Sequence, residues 1–267
     1  HQGAVLRADA WSGYLVTHGR DHSLRVWKMP DELGSVALSS SMAKNLPLPT
    51  MLHEMGVNAL NYCAYDMCIR NEDTPTLDGW LVIPNTLESG WIDLYHVPSQ
   101  QRIIESLGRQ ADIRSGTERP AIVMALRICI LRDILWIVAG YEDGVLQAWT
   151  IPVSTMEPTL VWTHKSHAES IMALSMSPTC DSVLSLGADY NIVRTALHQE
   201  AVPHVQRIKR PGHACASVRW DERVCVLGGW DACARVFTWP SLEPLAKLAY
   251  HKDSIYALSF ARHDAVH

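Results

Sequence analysis

The chain has 267 residues, of which 48% are hydrophobic and 19% charged, a composition that predicts a globular protein with a sizeable core rather than a disordered chain. The formal net charge of -5 gives no broad electrostatic reason to expect nucleic-acid binding. The apolar run at 121–141 is broken by Arg127, Arg132 and Asp133, so no segment is expected to cross a bilayer.

The cysteines favour a reducing compartment. Seven are present, an odd number scattered through strand-like segments, and no signal peptide leads the chain. We therefore expect a soluble protein of the cytosol or nucleus.

The first predicted unit contains the phrase THGRDHSLRVW, in which Asp21 stands four residues after Thr17 and six before Trp27. The same frame recurs along the chain. Later phrases give Ser89 with Tyr95, Asp143 with Trp149, Ser185 with Asp189 and Thr195, and Asp231 with Phe237. An internal repeat of this kind predicts a modular fold.

The flanks of these phrases repeat as well. Apolar segments such as VNALNYCAY, AIVMALRIC, SIMALSMSP and SIYALSFAR precede them, and short alternating segments follow. Period-two alternation between Gly, Pro, Asn and Asp turns predicts four short strands per unit. A four-stranded unit of about 40–45 residues resembles the WD repeat, which implies an all-β propeller.

The resemblance assigns structural roles to the repeated residues. In WD repeats a His before the blade, a Ser or Thr, an Asp in the turn and a Trp form a chain of hydrogen bonds that satisfies buried polar groups. His1, Thr17, Asp21 and Trp27 match all four places. The other expected structural positions are Asp143, Trp149, His167, Ser185, Asp189, His213 and Asp231. Asp21 and Trp27 are therefore expected to stabilise the fold rather than to catalyse.

One domain spans 1–267, with predicted blades at 1–53, 54–108, 120–164, 167–209 and 213–250 and part of a sixth at 251–267. Residues 31–50 and 99–120 are predicted to be elongated connections between blades. The resemblance implies seven blades in a full protein. Because the first and last units are partial, we expect a propeller that is truncated at both ends.

No catalytic motif is present in the sequence. There is no nucleophile elbow, P-loop or dinucleotide fingerprint, so no catalytic or cofactor-binding residue is predicted and no small-molecule substrate is expected. His164 and His167 stand where a blade-opening His belongs, which argues against a metal site. Arg207, Lys209 and Arg210 are interpreted as an exposed outer strand, with an acidic partner as the alternative.

Several phrases in order go beyond the generic repeat: MGVNALNYCAY, LVIPNTLESGWIDLYHVPSQQR, IVMALRI and IVAGYEDGVLQAW. Together they resemble the ASTRA-associated WD-repeat proteins of fungi and their G-protein-beta-subunit-like relatives in animals. The resemblance implies a non-enzymatic scaffold linked to chromatin remodelling, located in the nucleus, with the cytoplasm as a second location. Its implied partners are ASTRA components and the TTT cochaperone complex, which matures phosphatidylinositol-3-kinase-related kinases. The partner-binding residues cannot be assigned from the sequence.

Three alternatives stay open. A histone-tail or phosphopeptide reader would need a central channel lined by aromatic or clustered Arg side chains. A hydrolase would need clustered carboxylates or a metal there. A G-protein-beta-like signalling adaptor would bind protein partners without chemistry.

Overall fold

The computed structural model describes residues 1–11, 13–30, 48–58, 63–70, 77–97, 99–109, 121–198 and 202–261. Within these ranges the chain forms twenty β-strands and no α-helix. None of the described residues form a helix that is long and apolar enough to cross a membrane.

The strands form five antiparallel sheets of four strands each. The first contains Val5–Trp11 (β1), Tyr14–Gly19 (β2), Ser23–Lys28 (β3) and Thr50–Gly56 (β4), and the second contains Asp66–Ile69 (β5), Gly79–Pro84 (β6), Ile92–Val97 (β7) and Arg102–Leu107 (β8). The third contains Val123–Leu131 (β9), Ile134–Tyr141 (β10), Val145–Pro152 (β11) and Thr159–Lys165 (β12). The fourth contains Ile171–Met176 (β13), Ser182–Gly187 (β14), Asn191–Ala196 (β15) and His204–Arg207 (β16), and the fifth contains His213–Val218 (β17), Val224–Gly229 (β18), Ala234–Thr238 (β19) and Pro244–Leu248 (β20).

Within each sheet the strands lie side by side in sequence order. The first strands β9 and β13 contact each other, as do β13 and β17, and β5 and β9. Successive sheets are thus arranged side by side around a common axis with their first strands innermost. This is the arrangement of a WD-repeat β-propeller, and the predicted fold class is confirmed.

Burial differs between the strands of one sheet. All six residues of β6 and of β14 are buried, because a neighbouring sheet covers each face of a second strand. Such strands are continuous runs of apolar and small residues rather than alternating ones. The fourth strands lie outermost, and every residue of β20 is exposed.

Apolar clusters join the successive sheets. Val16 and Val26 of the first sheet pack with Tyr65, Leu81 and Ile83 beside and within the second. The hydroxyl of Tyr65 also donates to the carbonyl of Val16 at 3.1 Å. Most of the core therefore lies between sheets, where a side chain contributes to the stability of two sheets at once.

Gly140 shows how closely two sheets approach. A Cβ at this position would lie 2.4 Å from Cγ2 of Ile171, on the first strand of the next sheet. Glycine at the end of β10 therefore lets the third and fourth sheets approach, since a larger residue would push Ile171 aside.

The five sheets lie at 5–56, 66–107, 123–165, 171–207 and 213–248. The exact blade limits and the count of seven blades remain predictions. Residues 251–261 contain no strand. The predicted connection at 31–50 lies mostly outside the described residues, which omit 31–47. The predicted connection at 99–120 is wrong over its first half, because Arg102–Leu107 form β8, the fourth strand of the second sheet; its second half, 110–120, lies outside the described residues.

Candidate functional site

The repeated residues of the first sheet form a chain of hydrogen bonds. His1 Nδ1 lies 2.8 Å from Asp21 Oδ1, and His1 Nε2 lies 2.7 Å from Thr17 Oγ1. The indole of Trp27 donates to the same Thr17 oxygen at 2.9 Å. The Thr17 hydroxyl oxygen therefore accepts from Trp27 and also bonds to the His1 ring. These contacts join the loop before β1 to β2, its turn and β3.

The fourth sheet contains a second, more deeply buried chain. His167 Nδ1 lies 3.0 Å from Asp189 Oδ1, and His167 Nε2 lies 2.9 Å from Ser185 Oγ. Burial lowers the pKa of His167, against the opposing effect of Asp189, so the ring is neutral. Because a carboxylate only accepts, Nδ1–H donates to Asp189 and Nε2 accepts from the Ser185 hydroxyl. Thr195 replaces the indole, and its buried hydroxyl makes no hydrogen bond among the described residues.

The fifth sheet departs from this pattern. His213 is the first residue of β17 and pairs with Gly229, the register position that Ile171 holds opposite Gly187 in the fourth sheet. His213 is thus a strand residue rather than the residue before the blade. Both of its ring nitrogens are buried and make no hydrogen bond within the described part of the chain. Asp231 forms its ion pair with Arg235 instead, at 2.5 Å.

The charges around His213 fit this arrangement. Burial and the positive charge of Arg235 lower the pKa of His213 to about 4, although Asp231 opposes them. The hydrogen bonds from Arg235 lower the pKa of Asp231 to about 2. At neutral pH, His213 is therefore an uncharged core residue beside a separate Asp–Arg pair.

In the third sheet the Asp and Trp positions are not connected. Asp143 lies in the turn after β10 and accepts from the Val145 amide at 3.0 Å through its carboxylate. Its carbonyl accepts from Lys165. Trp149 is buried between the second and third sheets. The turn and the ring thus stabilise this sheet separately.

The second sheet has a polar network that the repeat pattern did not predict. Asn85 Nδ2 donates to Asp93 Oδ1 at 2.9 Å, while Asn85 Oδ1 accepts from the amides of Leu87 and Glu88. Asn58 Nδ2 donates to Ser89 Oγ at 3.0 Å. Ser89 was assigned the Asp place, and Asn58 bonds to it from the segment before β5. Because Asn58 stands where the repeat has a His, a search for the repeat pattern does not detect this network.

A central channel is a candidate binding site. Its cavity measures about 580 Å³, within the range of roughly 300–1,000 Å³ that ligand pockets occupy. The walls come from the first strands of four sheets, from Ala64 just before β5, and from a segment after β20: Leu6–Asp9, Ala64, Met124–Arg127, Met172–Leu174, Ala214–Ala216 and Tyr256–Ser259. Seven alanines lie on the walls, and their small side chains leave the channel open.

One side of the channel contains a cluster of four charged residues. Arg7 Nε donates to Asp9 Oδ2 at 2.6 Å, and Arg7 Nη2 lies 2.7 Å from Asp66 Oδ1. Asp66 Oδ2 accepts from the amide of Ile128 at 2.8 Å. Arg127 Nη1 is farther away, at 3.9 Å from the same Asp66 Oδ1. Three successive sheets therefore meet at one carboxylate, and no local motif marks this cluster in the sequence.

No group of three or more His, Cys, Asp or Glu side chains among the described residues has the arrangement of a metal site. The two carboxylates of the channel cluster are held by arginines and a backbone amide. The seven cysteines are free. His164 is a residue of β12, outside the hydrogen-bonded chain that contains His167.

The chain is similar over nearly its whole length to curated proteins from fungi and mouse. ASTRA-associated protein 1 of Verticillium alfalfae is 31% identical over 283 residues, which cover 98% of this chain and 66% of the relative. The protein of the same name from Penicillium rubens is 29% identical, with 97% and 69% covered. Guanine nucleotide-binding protein subunit beta-like protein 1 of Mus musculus is 24% identical, with 97% and 72% covered.

Among solved structures, the computationally designed Ika8 protein matches with a TM-score of 0.59 at 16% identity, covering 98% of this chain and 66% of that chain. This likeness shows the fold alone. No family model matches the chain. The chain spans about two thirds of the length of these two ASTRA-associated relatives. Fold, repeat pattern and full-length similarity agree, and the chain belongs to the family of ASTRA-associated WD-repeat proteins.

Proposed function

We propose that this propeller is part of a non-enzymatic scaffold subunit of an ASTRA assembly. The main support for this proposal is the 31% identity to ASTRA-associated protein 1 of Verticillium alfalfae over 98% of this chain. The name of that relative describes association with an assembly. The proposal transfers this association to the present chain.

The local chemistry supports a scaffold. The repeated His, Ser, Thr and Asp side chains of the first and fourth sheets bond to one another, which uses their hydrogen-bonding capacity within the fold. His167 is neutral and aligned by Asp189, yet its second nitrogen contacts Ser185 in the core. A general base must reach a proton on its substrate, and this ring is enclosed by protein.

The finer proposal is that the protein connects ASTRA components with the TTT cochaperone complex in the nucleus, in support of kinase maturation and chromatin remodelling. A rigid propeller presents several loops and two faces to partners, and such loops are where scaffolds usually place their contacts. The family resemblance supports these partners and this location.

Affinity purification of the tagged full-length protein from nuclear extract, followed by mass spectrometry, tests the proposal. TTT and ASTRA subunits should be recovered in stable ratio. Two matched variants separate fold from surface: Leu94→Asp changes a residue of β7 that is 0% exposed, and Leu87→Asp makes the same change at a residue that is 90% exposed.

Leu94→Asp should abolish folding and recovery together. Leu87→Asp should leave the fold intact, and a loss of recovery by this folded variant would place the partner surface at the loop before β7. A folded wild-type protein that recovers neither TTT nor ASTRA subunits would contradict the proposed partners.

A second candidate is a G-protein-beta-like signalling adaptor, which the 24% identity to the mouse beta-like protein favours. The same purification distinguishes the two candidates. Recovery of receptor-linked signalling proteins without ASTRA subunits would favour the adaptor.

A further inference from the structure

We propose that the central channel binds an extended peptide through a single carboxylate that pairs with Arg127. This inference goes beyond the proposed assembly, since it concerns a site and a ligand chemistry whichever complex the protein joins.

Arg127 is the cation of the channel cluster that lacks a carboxylate of its own. Its nearest carboxylate oxygen among the described residues is Asp66 Oδ1 at 3.9 Å, and Arg7 already binds that oxygen at 2.7 Å. The second oxygen of Asp66 accepts from Ile128 N–H. Arg7 is well compensated because it also pairs with Asp9. Both carboxylates of the cluster therefore pair closely with Arg7, and neither pairs closely with Arg127.

The guanidinium of Arg127 retains hydrogen-bonding capacity. It has five N–H donors, and among the described residues its one hydrogen bond runs from Nη1 to the carbonyl of Leu126 at 3.0 Å. The side chain is 31% exposed and belongs to the wall of the channel. Burial and the neighbouring Arg7 lower the pKa of Arg127, while Asp66 opposes them. A partly desolvated cation of this kind gains more from an incoming anion than a solvated one does.

The local charge count favours a carboxylate over a phosphate. Arg7 and Arg127 carry two positive charges, and Asp9 and Asp66 carry two negative charges within the same cluster. A phosphoryl group brings a charge of about -1.5 to -2 at pH 7, which these two aspartates would repel more strongly. One Glu or Asp side chain adds a single charge and fits the two-oxygen geometry of a guanidinium.

The rest of the channel suits an extended peptide whose side chains are small or apolar. Alanines from several sheets leave room in the 580 Å³ cavity, and Met124, Met172 and Leu258 add apolar walls beside Tyr256. The ring of Tyr256 is 73% exposed. An acidic residue flanked by small or apolar residues therefore matches the charge and the walls of the channel.

The test uses the full-length protein and synthetic peptides of nine residues, labelled with fluorescein at the N-terminus and amidated at the C-terminus. Each peptide pool contains Ala, Leu and Ser around one fixed central residue. The central residue is Glu, Gln or phosphoserine, and binding is followed by fluorescence anisotropy. The Glu pool should bind at least tenfold more tightly than the Gln pool, and the phosphoserine pool should bind no more tightly than the Glu pool.

Two variants assign the binding to this site. Arg127→Met keeps most of the apolar stem and should weaken binding of the Glu pool at least tenfold. Met172→Glu leaves the charged cluster intact, adds a negative charge to the wall, and should weaken the same pool. Arg223→Met is the matched control, because Arg223 carries a side chain that is 82% exposed and lies outside the channel walls. Thermal melting confirms that each variant is folded.

Equal binding of the Glu and Gln pools, or no binding of either, would overturn the proposal. A folded Arg127→Met protein that binds the Glu pool like wild type would also overturn it. Tighter binding of the phosphoserine pool by tenfold or more would overturn the choice of a carboxylate. None of these results depends on which ASTRA or TTT subunits are recovered.

Discussion

His167 and His213 are both buried, but their polar surroundings differ, so the same substitution can be compared at the two positions. Replacing each with Leu removes the same imidazole and adds a similar apolar volume. His167 makes two hydrogen bonds, one of them to a carboxylate. His213 makes none among the described residues. We expect opposite effects on the free energy of unfolding.

The magnitudes follow from these contacts. A hydrogen bond to a charged group contributes about 1.5–3 kcal/mol and a neutral one about 1 kcal/mol, so His167→Leu should lower the free energy of unfolding by about 2–4 kcal/mol. A buried polar group without a partner costs about 1–3 kcal/mol. His213→Leu removes that cost and should raise the free energy of unfolding by about 1–2 kcal/mol.

The assay is equilibrium urea unfolding of the full chain at pH 7.5, followed by tryptophan fluorescence and circular dichroism. Both histidines are neutral in the folded state at this pH. The slope m should stay unchanged, so that midpoint shifts report stability. Thermal midpoints should move by about 2–4 °C per kcal/mol, as expected for a chain of this size.

Destabilisation of both variants by similar amounts would refute the reasoning, because it would give His213 a stabilising contact equal to that of His167. Ser185→Ala is a useful companion variant. It removes one of the two partners of His167 and should cost about 1 kcal/mol, less than loss of the whole ring.

The remaining predictions concern pH, an aromatic ring and a glycine. Burial lowers the pKa of His18 and of His213 from 6.5 to about 4. The unfolded state therefore binds more protons than the folded state between these pH values. The free energy of unfolding should be highest above about pH 6.5 and should fall by about 1 kcal/mol per histidine from pH 7 to 5.5. Urea midpoints should show this fall, and His213→Leu should reduce it by the share of one histidine, about 1 kcal/mol. Trp27→Ala removes a half-buried ring and its bond to Thr17, and urea unfolding should report a loss of about 3 kcal/mol, with partner recovery lost only in proportion to folding. Gly140→Ala should lower the thermal midpoint by several degrees because of Ile171, whereas Gly56→Ala, with nothing within 4 Å, should not; equal effects would contradict the close approach of the two sheets.

Much of the fold could be predicted from the sequence, because strand alternation and the Asp-to-aromatic spacing are local. The position of His213 could not be read from the same pattern. Its distance to Asp231 is 18 residues, whereas His167 precedes Asp189 by 22 and His1 precedes Asp21 by 20. The shorter distance was a usable signal that His213 enters the strand itself.

The channel cluster could not be predicted for a different reason. Arg7, Asp66 and Arg127 are separated by about sixty residues from one to the next, and each stands alone in an apolar or mixed strand. Only the inner position of β1, β5 and β9 brings them together. Likewise, Asn58 replaces a His in the second sheet, and its role depends on a contact with Ser89 that no spacing rule contains.

Asp66 has a consequence for how the propeller unfolds. Repeat proteins are held mainly by contacts between neighbouring units, so a terminal unit can detach while the others remain folded. Asp66 accepts from the backbone of β9 and pairs with Arg7 of β1, which makes its second-sheet position a shared anchor for the sheets on both sides. Detaching the first sheet would leave a buried carboxylate short of its cation, and such a loss is costly. We therefore expect the first three sheets to unfold together, with Asp66 as the residue that couples them.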